Sequence, residues 1–274
     1  MADMLPAFFH PEVVCAAACR SNIDMLLGRW RTMWDHWGRA QLIAVWLMMC
    51  ACLSGTAAAE DATLKKGYVS KSPANKGIVL YLHGCDGGFN TSPAADWHDW
   101  LERSGFKVFA PNSFAEERPP ASCSAPYPYK AEIYAIRVRQ TVRVLEQIIE
   151  DHPGVPIYVW GHSEGGGVAN LLSQKVEGIL TTGYPCGFKR TPVTQIQKDV
   201  RVLVVMGSER FDHYLLEAHL ESGFATLADL CRETFRAHPN ARWKQFYSLG
   251  HAPYPGNPEL FAAVNEFFEI KIPW

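Results

Sequence analysis

The sequence has almost no net charge: 26 basic side chains stand against 28 acidic ones, a formal −2 over 274 residues. Proteins that bind nucleic acid usually carry a strong basic excess, so no nucleic-acid partner is expected. Low-complexity tracts and internal repeats are lacking, which excludes a collagen-like chain, and a hydrophobic content of 48% excludes disorder. No spacing of histidine and cysteine suggests a metal site, and neither a metal nor another cofactor is expected. Methionine is scarce in most of the chain. Six of the seven Met, and four of the eight Cys, fall before residue 60.

That crowding has a local cause. From Ala40 to Ala59 there is no charged residue; Arg39 precedes the run and Glu60-Asp61 follow it. The run is apolar over Leu42–Met49 and then relaxes into Ser54-Gly55-Thr56-Ala57-Ala58-Ala59. Basic, apolar and small residues in that order make a secretory signal peptide, with Ala57 and Ala59 at the cleavage positions. The competing reading is an uncleaved anchor, since about twenty uncharged residues can span a bilayer. A lipid anchor on Cys50 or Cys52 is weaker, because neither follows a good small-residue lipobox. Residues 1–59 are therefore read as a leader. Its stretch 1–32 is read as the product of a misplaced start, with Met33 as the true one. A periplasmic or secreted protein is expected, with no stable membrane association after cleavage.

Four residues of each sign lie in the leader, so residues 60–274 keep 22 basic and 24 acidic side chains over 215 residues. That length suits one well-buried domain. Its cysteines are Cys85, Cys123, Cys186 and Cys231, an even number in an exported chain, and disulfides are expected. Of three possible pairings, Cys85–Cys123 and Cys186–Cys231 are preferred. Four free thiols are the alternative.

Strands and helices alternate beyond residue 77. Strands are expected at 78–82, 107–110, 157–160, 178–182, 200–206 and 243–249, as short apolar runs ended by turn residues. Helices are expected at 94–103, 130–151, 164–175 and 258–268, and the segment 211–238 has room for two more. Such alternation argues for a mostly parallel sheet covered by helices on both faces.

Between the strand at 157–160 and the following helix lies Gly161-His162-Ser163-Glu164-Gly165, which fits G-x-S-x-G. In this context the pattern has a physical meaning. A sharp strand-to-helix turn lifts the serine hydroxyl clear of the sheet, glycines at −2 and +2 make room for it, and the helix N-terminus favours negative charge. The alternative is a glycine-rich turn with an incidental serine.

With this motif, residues 67–274 resemble the α/β-hydrolase superfamily without a large cap domain. The Leu82-His83-Gly84-Cys85-Asp86-Gly87-Gly88 segment resembles the dienelactone-hydrolase-related branch. One departure matters: dienelactone hydrolases proper use a cysteine nucleophile, whereas this turn holds serine, so a lactone substrate does not carry over. The resemblance implies the chain order nucleophile, acid, base. His251, in Leu249-Gly250-His251, stands where the family places its base. The family's acid lies three residues after a glycine, and here that position, counted from Gly207, is Arg210. Asp212 is displaced by two residues and is preferred, with Glu209 as the alternative.

The resemblance further implies an oxyanion hole of backbone N–H groups, from Glu164 on one side and from Cys85 or Asp86 on the other. A small-molecule carboxylic ester, or a related acyl compound, is the expected partner, cleaved through an acyl-enzyme. A peptidase or thioesterase with the same triad, and a non-catalytic binding protein on the same fold, stay open. Glu164 and Asp86 beside the oxyanion donors are expected to disfavour anionic substrates. Trp97, Tyr127, Tyr129 and Tyr184 are either pocket lining or core.

Overall fold

The run Gly77–Leu82 is apolar at every position after its glycine, and the structure buries all six residues as the strand β2. Burial on both faces is what an unbroken apolar run predicts for a central parallel strand. The computed structural model describes residues 64, 66–88, 90–115, 123, 129–184, 186–187, 194–208, 210, 212, 215–216, 220, 223–251 and 255–269, with the backbone alone at 129–131. All of them fall in one unit, Ala58–Trp274. The leader readings, and Glu209 and Tyr127, lie outside the described residues.

Seven strands are described: β1 (Tyr68–Val69), β2, β3 (Phe106–Ala110), β4 (Ile157–His162), β5 (Gly178–Thr182), β6 (Arg201–Met206) and β7 (Ala241–Gln245). They form one sheet in the order β1-β3-β2-β4-β5-β6-β7. β1 runs antiparallel to β3, and every other pair is parallel. The helices are α1 (Ala94–Arg103), α2 (Tyr129–Asp151), α3 (Glu164–Asn170), α4 (Leu227–Thr234) and α5 (Pro258–Phe267). Among the described residues no helix is long and apolar enough to cross a membrane.

Side chains alternate along the central strands, so each of these feeds two cores. Ile78, Leu80, Val159, Ile179 and Val204 pack with Leu145 and Ile148 of α2, Val168 of α3 and Leu230 of α4. Val79, Tyr81, Trp160, Leu180 and Val205 pack with Leu101 of α1 and Leu260 and Val264 of α5 on the opposite face. Trp97 belongs to that second core at 2% exposure, so it is structural and not pocket lining.

Two elements depart from the sequence pattern. Helix α3 ends at Asn170 instead of running to 175. The last turn tightens, with the Leu171 and Leu172 N–H groups donating to the carbonyls of Val168 and Ala169 three residues back. The Asn170 carbonyl accepts from the N–H of Gln195 and the hydroxyl of Thr194 instead of from a further helical turn. β7 lies at 241–245, not 243–249. It is an edge strand with alternating burial, and the apolar residues beyond it, Phe246 and Leu249, serve the second core from a turn.

The chain leaves β2 for β3 on one side and returns to β4 on the other. The carboxyl ends of β2 and β4 therefore flank a topological switch point, where open α/β sheets form their ligand crevice. The loop from His83 and the turn at Ser163 both start there.

Candidate active site

Ser163 sits between the last residue of β4 and the first of α3, with φ 53° and ψ −120°. A non-glycine residue held there stores backbone strain, which persists only where the surroundings enforce it. The surroundings are backbone on backbone. A Cβ on Gly161 would meet the Gly165 carbonyl oxygen at 2.3 Å, and one on Gly165 would meet that of Leu82 at 2.1 Å. Only glycine fits at either position, so the turn is as sharp as the chain permits. The Ser163 N–H donates to the Thr182 carbonyl at the end of β5 at 2.8 Å, which holds the turn over the sheet edge.

His251 Nε2 lies 2.8 Å from Ser163 Oγ, and His251 Nδ1 lies 2.8 Å from Asp212 Oδ2. An ionised carboxylate only accepts. The tautomer is then fixed: Nδ1–H donates to Asp212, and Nε2 accepts the Ser163 hydroxyl proton. The Asp212 side chain is wholly closed to solvent and that of His251 is 25% exposed. Asp212 Oδ1 also accepts from the N–H of Leu215 at 3.2 Å, which pins the carboxylate. The structure thus brings together Ser163, His251 and Asp212.

The loop after β2 lies against the Ser163 turn. A Cβ on Gly84 would stand 3.3 Å from Ser163 Cβ and 3.2 Å from Asp86 Oδ1. His83 is fully buried. Its Nδ1–H donates to the Gly84 carbonyl at 2.7 Å, and its Nε2 accepts from the Ser113 N–H at 3.1 Å. Burial first, and the Arg137 charge second, push its pKa down to about 3, so the ring is a neutral bracket for the loop. Cys85 is joined to Cys123, and Cys186 to Cys231. Asp86 is exposed, its Oδ1 accepting from the Gly88 N–H at 3.2 Å.

Glu164 corrects an expectation. Its carboxylate is buried and faces Arg137 of α2, with Oε1 2.6 Å from Nη1 and the two side chains 6% and 1% exposed. Paired in this way it presents no uncompensated negative charge to a substrate. Sequence reasoning passed over Arg137 and His83. Arg137 stands among Arg139 and Arg143 on a helix, where arginines usually mark a solvated face, and only the packing distinguishes it. His162 packs its ring 5.3 Å from that of His251, and burial, with the charge of His251 next, lowers its pKa to about 4. Tyr184 stands over Gly166, and burial pushes its phenol up to about 12. Among the described residues no group of three or more His, Cys, Asp or Glu is arranged to hold a metal ion.

The sheet order, the strained serine turn and the placement of a histidine after the last strand together decide the architecture. The chain has the α/β-hydrolase fold. No family model and no curated protein sequence matches it. Solved structures with this fold do. Esterase PE8 superposes with a TM-score of 0.54 at 16% identity, over 75% of this chain and 98% of that one. A dienelactone hydrolase from Anabaena variabilis gives 0.51 at 15%, over 73% and 87%. A lidless α/β serine hydrolase from Xanthomonas campestris gives 0.50 at 13%, over 76% and 88%. At these identities the likeness is one of α/β-hydrolase fold.

Proposed function

We propose that this protein is an exported serine hydrolase that cleaves a carboxylic ester, or a related acyl bond, through an acyl-enzyme. The observation that carries the reading is the Ser163–His251–Asp212 relay of two 2.8 Å contacts, set on a strained turn at the sheet's switch point. Esterases and a dienelactone hydrolase share the fold, which agrees with it.

In this reading Ser163 Oγ attacks the acyl carbon while His251 Nε2 takes its proton. The imidazolium then gives that proton to the leaving alcohol, and Asp212 stabilises its charge. The negative charge on the former carbonyl oxygen meets backbone donors. Glu164 opens α3, so its N–H has no carbonyl one turn earlier within the helix to bond. The second donor is the N–H of Cys85 or Asp86, in the loop that Gly84 brings against Ser163. Removing one such donor typically costs about 2.7–4 kcal/mol. Export and removal of residues 1–59, leaving 60–274 as the working domain, complete the proposal; the two disulfides support an oxidising compartment.

A fluorophosphonate probe tests the reaction class. Wild type is labelled and Ser163→Ala is not; an unlabelled, folded wild type would instead mark a binding protein. A panel of esters, thioesters and aminoacyl amides then sorts esterase from thioesterase and peptidase. N-terminal sequencing of the exported form checks cleavage after Ala59.

A further inference from the structure

We propose that Arg137 is a positioning residue that aligns both sides of the oxyanion hole. The inference rests on the serine hydrolase reading above. One guanidinium bridges the two segments that carry the donors. Its Nη1 donates to the carboxylate of Glu164, and its Nη2 donates to the main-chain carbonyl of His83 at 2.5 Å. Glu164 follows the nucleophile directly. The His83 carbonyl lies one peptide unit before the unit that bears the Cys85 N–H. A planar fork with donors at fixed angles sets the distance between two backbones in a way that a flexible ammonium cannot.

Two further observations support a role beyond packing. First, a buried ion pair is weak evidence for stability, because well-packed apolar residues of similar volume often serve as well or better. Second, the same guanidinium balances the buried carboxylate of Glu164, the residue next to the serine. An unpaired anion there would oppose the charge that builds on the reacting oxygen. His83, Gly84 and Cys85 are also held by Ser113, by the Gly87 N–H donating to the Gly84 carbonyl at 3.3 Å, and by the disulfide to Cys123. Those ties fix the loop to itself and to its flanks. Arg137 fixes it to the nucleophile's turn.

The test uses the full-length protein with its best ester, as wild type, Arg137→Lys and the paired variant Arg137→Met/Glu164→Met, which leaves no charge unpartnered. Each is also titrated with a trifluoromethyl ketone and with the matching methyl ketone. The fluorinated ketone accepts Ser163 Oγ at its carbonyl carbon, the serine proton passes to His251, and the carbonyl electron pair becomes an oxyanion in the hole. The methyl ketone reports ground-state binding. Both variants are expected to fold with kcat lowered about 10- to 100-fold. KM stays within about threefold, and affinity for the trifluoromethyl ketone falls in step with kcat while that for the methyl ketone holds. Folded variants with kcat and trifluoromethyl ketone affinity within about threefold of wild type overturn the inference. So does a loss in which both ketones weaken together. If the paired variant fails to fold, Arg137→Lys decides by the same readings. A wild type inert towards every ester and towards fluorophosphonate removes the hydrolase reading, and the clamp with it.

Discussion

Asp212 accepts from His251 Nδ1 at 2.8 Å across 39 residues of chain, two positions beyond the place where the resemblance to α/β hydrolases puts an acid. The contact is between a fully shielded carboxylate and a quarter-exposed imidazole. Asp212→Asn is expected to lower kcat by about 10^3- to 10^4-fold, because the amide favours the wrong imidazole tautomer. Glu209→Gln is expected to keep activity within about threefold, because the imidazole Nδ1–H already has Asp212 as its acceptor. Steady-state kinetics on the two variants side by side check this, and the reverse ranking would move the acid to Glu209.

Cys186 and Cys231 are both fully buried in the first core, whereas Cys85 and Cys123 are half-buried. Non-reducing peptide mapping is expected to recover Cys85 with Cys123 and Cys186 with Cys231. Replacing the second pair by serine should cost about 2–5 kcal/mol in urea unfolding, through the lost cross-link and two hydroxyls placed among apolar side chains. Recovery of Cys85 with Cys186 or Cys231 would refute the pairing.

His98 of α1 is 1% exposed, stacked on Tyr68 and edge-on to Tyr81. Neither ring nitrogen has a hydrogen-bond partner among the described residues, and burial lowers its pKa to about 4. An unfolded histidine titrates near 6.5. Between those values the unfolded chain binds the proton and the folded chain does not, so stability is full above about pH 6.5 and falls as the pH drops towards 4. The slope contributed by one histidine is at most about 1.4 kcal/mol per pH unit. His83 and His162, also held below about 6.5 by burial, add slopes of the same sign. His98→Phe is therefore expected to lower the slope of the urea-unfolding profile between about pH 6.5 and 4 by the share of one histidine, and an unchanged slope would count against the burial argument.

Asp86 is the carboxylate left facing solvent beside the nucleophile's turn once Glu164 is paired. A charge about 7 Å away across water is worth roughly 0.6 kcal/mol, or about threefold in rate. Asp86→Asn is expected to raise the ratio of kcat/KM for a carboxylate-bearing ester to that for its neutral analogue by about that factor at low salt. High salt should erase the gain. A salt-independent ratio would mean that the charge does not reach the substrate.

The serine turn and the central strands were legible because local sequence forces them: glycine where only glycine fits, and apolar runs where both faces are buried. His251 was legible by chain order, since the last strand and last helix bracket it. What escaped depends on partners distant in sequence. Past the tightened end of α3, the Asn170 carbonyl finds its partners in Gln195 and Thr194, which reach it from a remote loop. β1 is two residues long and pairs with β3 alone, too short for a periodicity to register. Arg137 reads as one more helical arginine until its partners at Glu164 and His83 are brought to it by the fold.

At the end of β6, a Cβ on Gly207 would meet the Gly250 carbonyl oxygen at 2.3 Å, and the Ser208 N–H donates to the Leu249 carbonyl at 2.8 Å. The segment that carries Asp212 and the segment that carries His251 are thus moored together at their roots, before either side chain departs. From a shared mooring, a carboxylate can arrive from a longer tether as well as from a shorter one. What the chemistry needs is the landing point beside the imidazole, not a fixed number of residues leading to it.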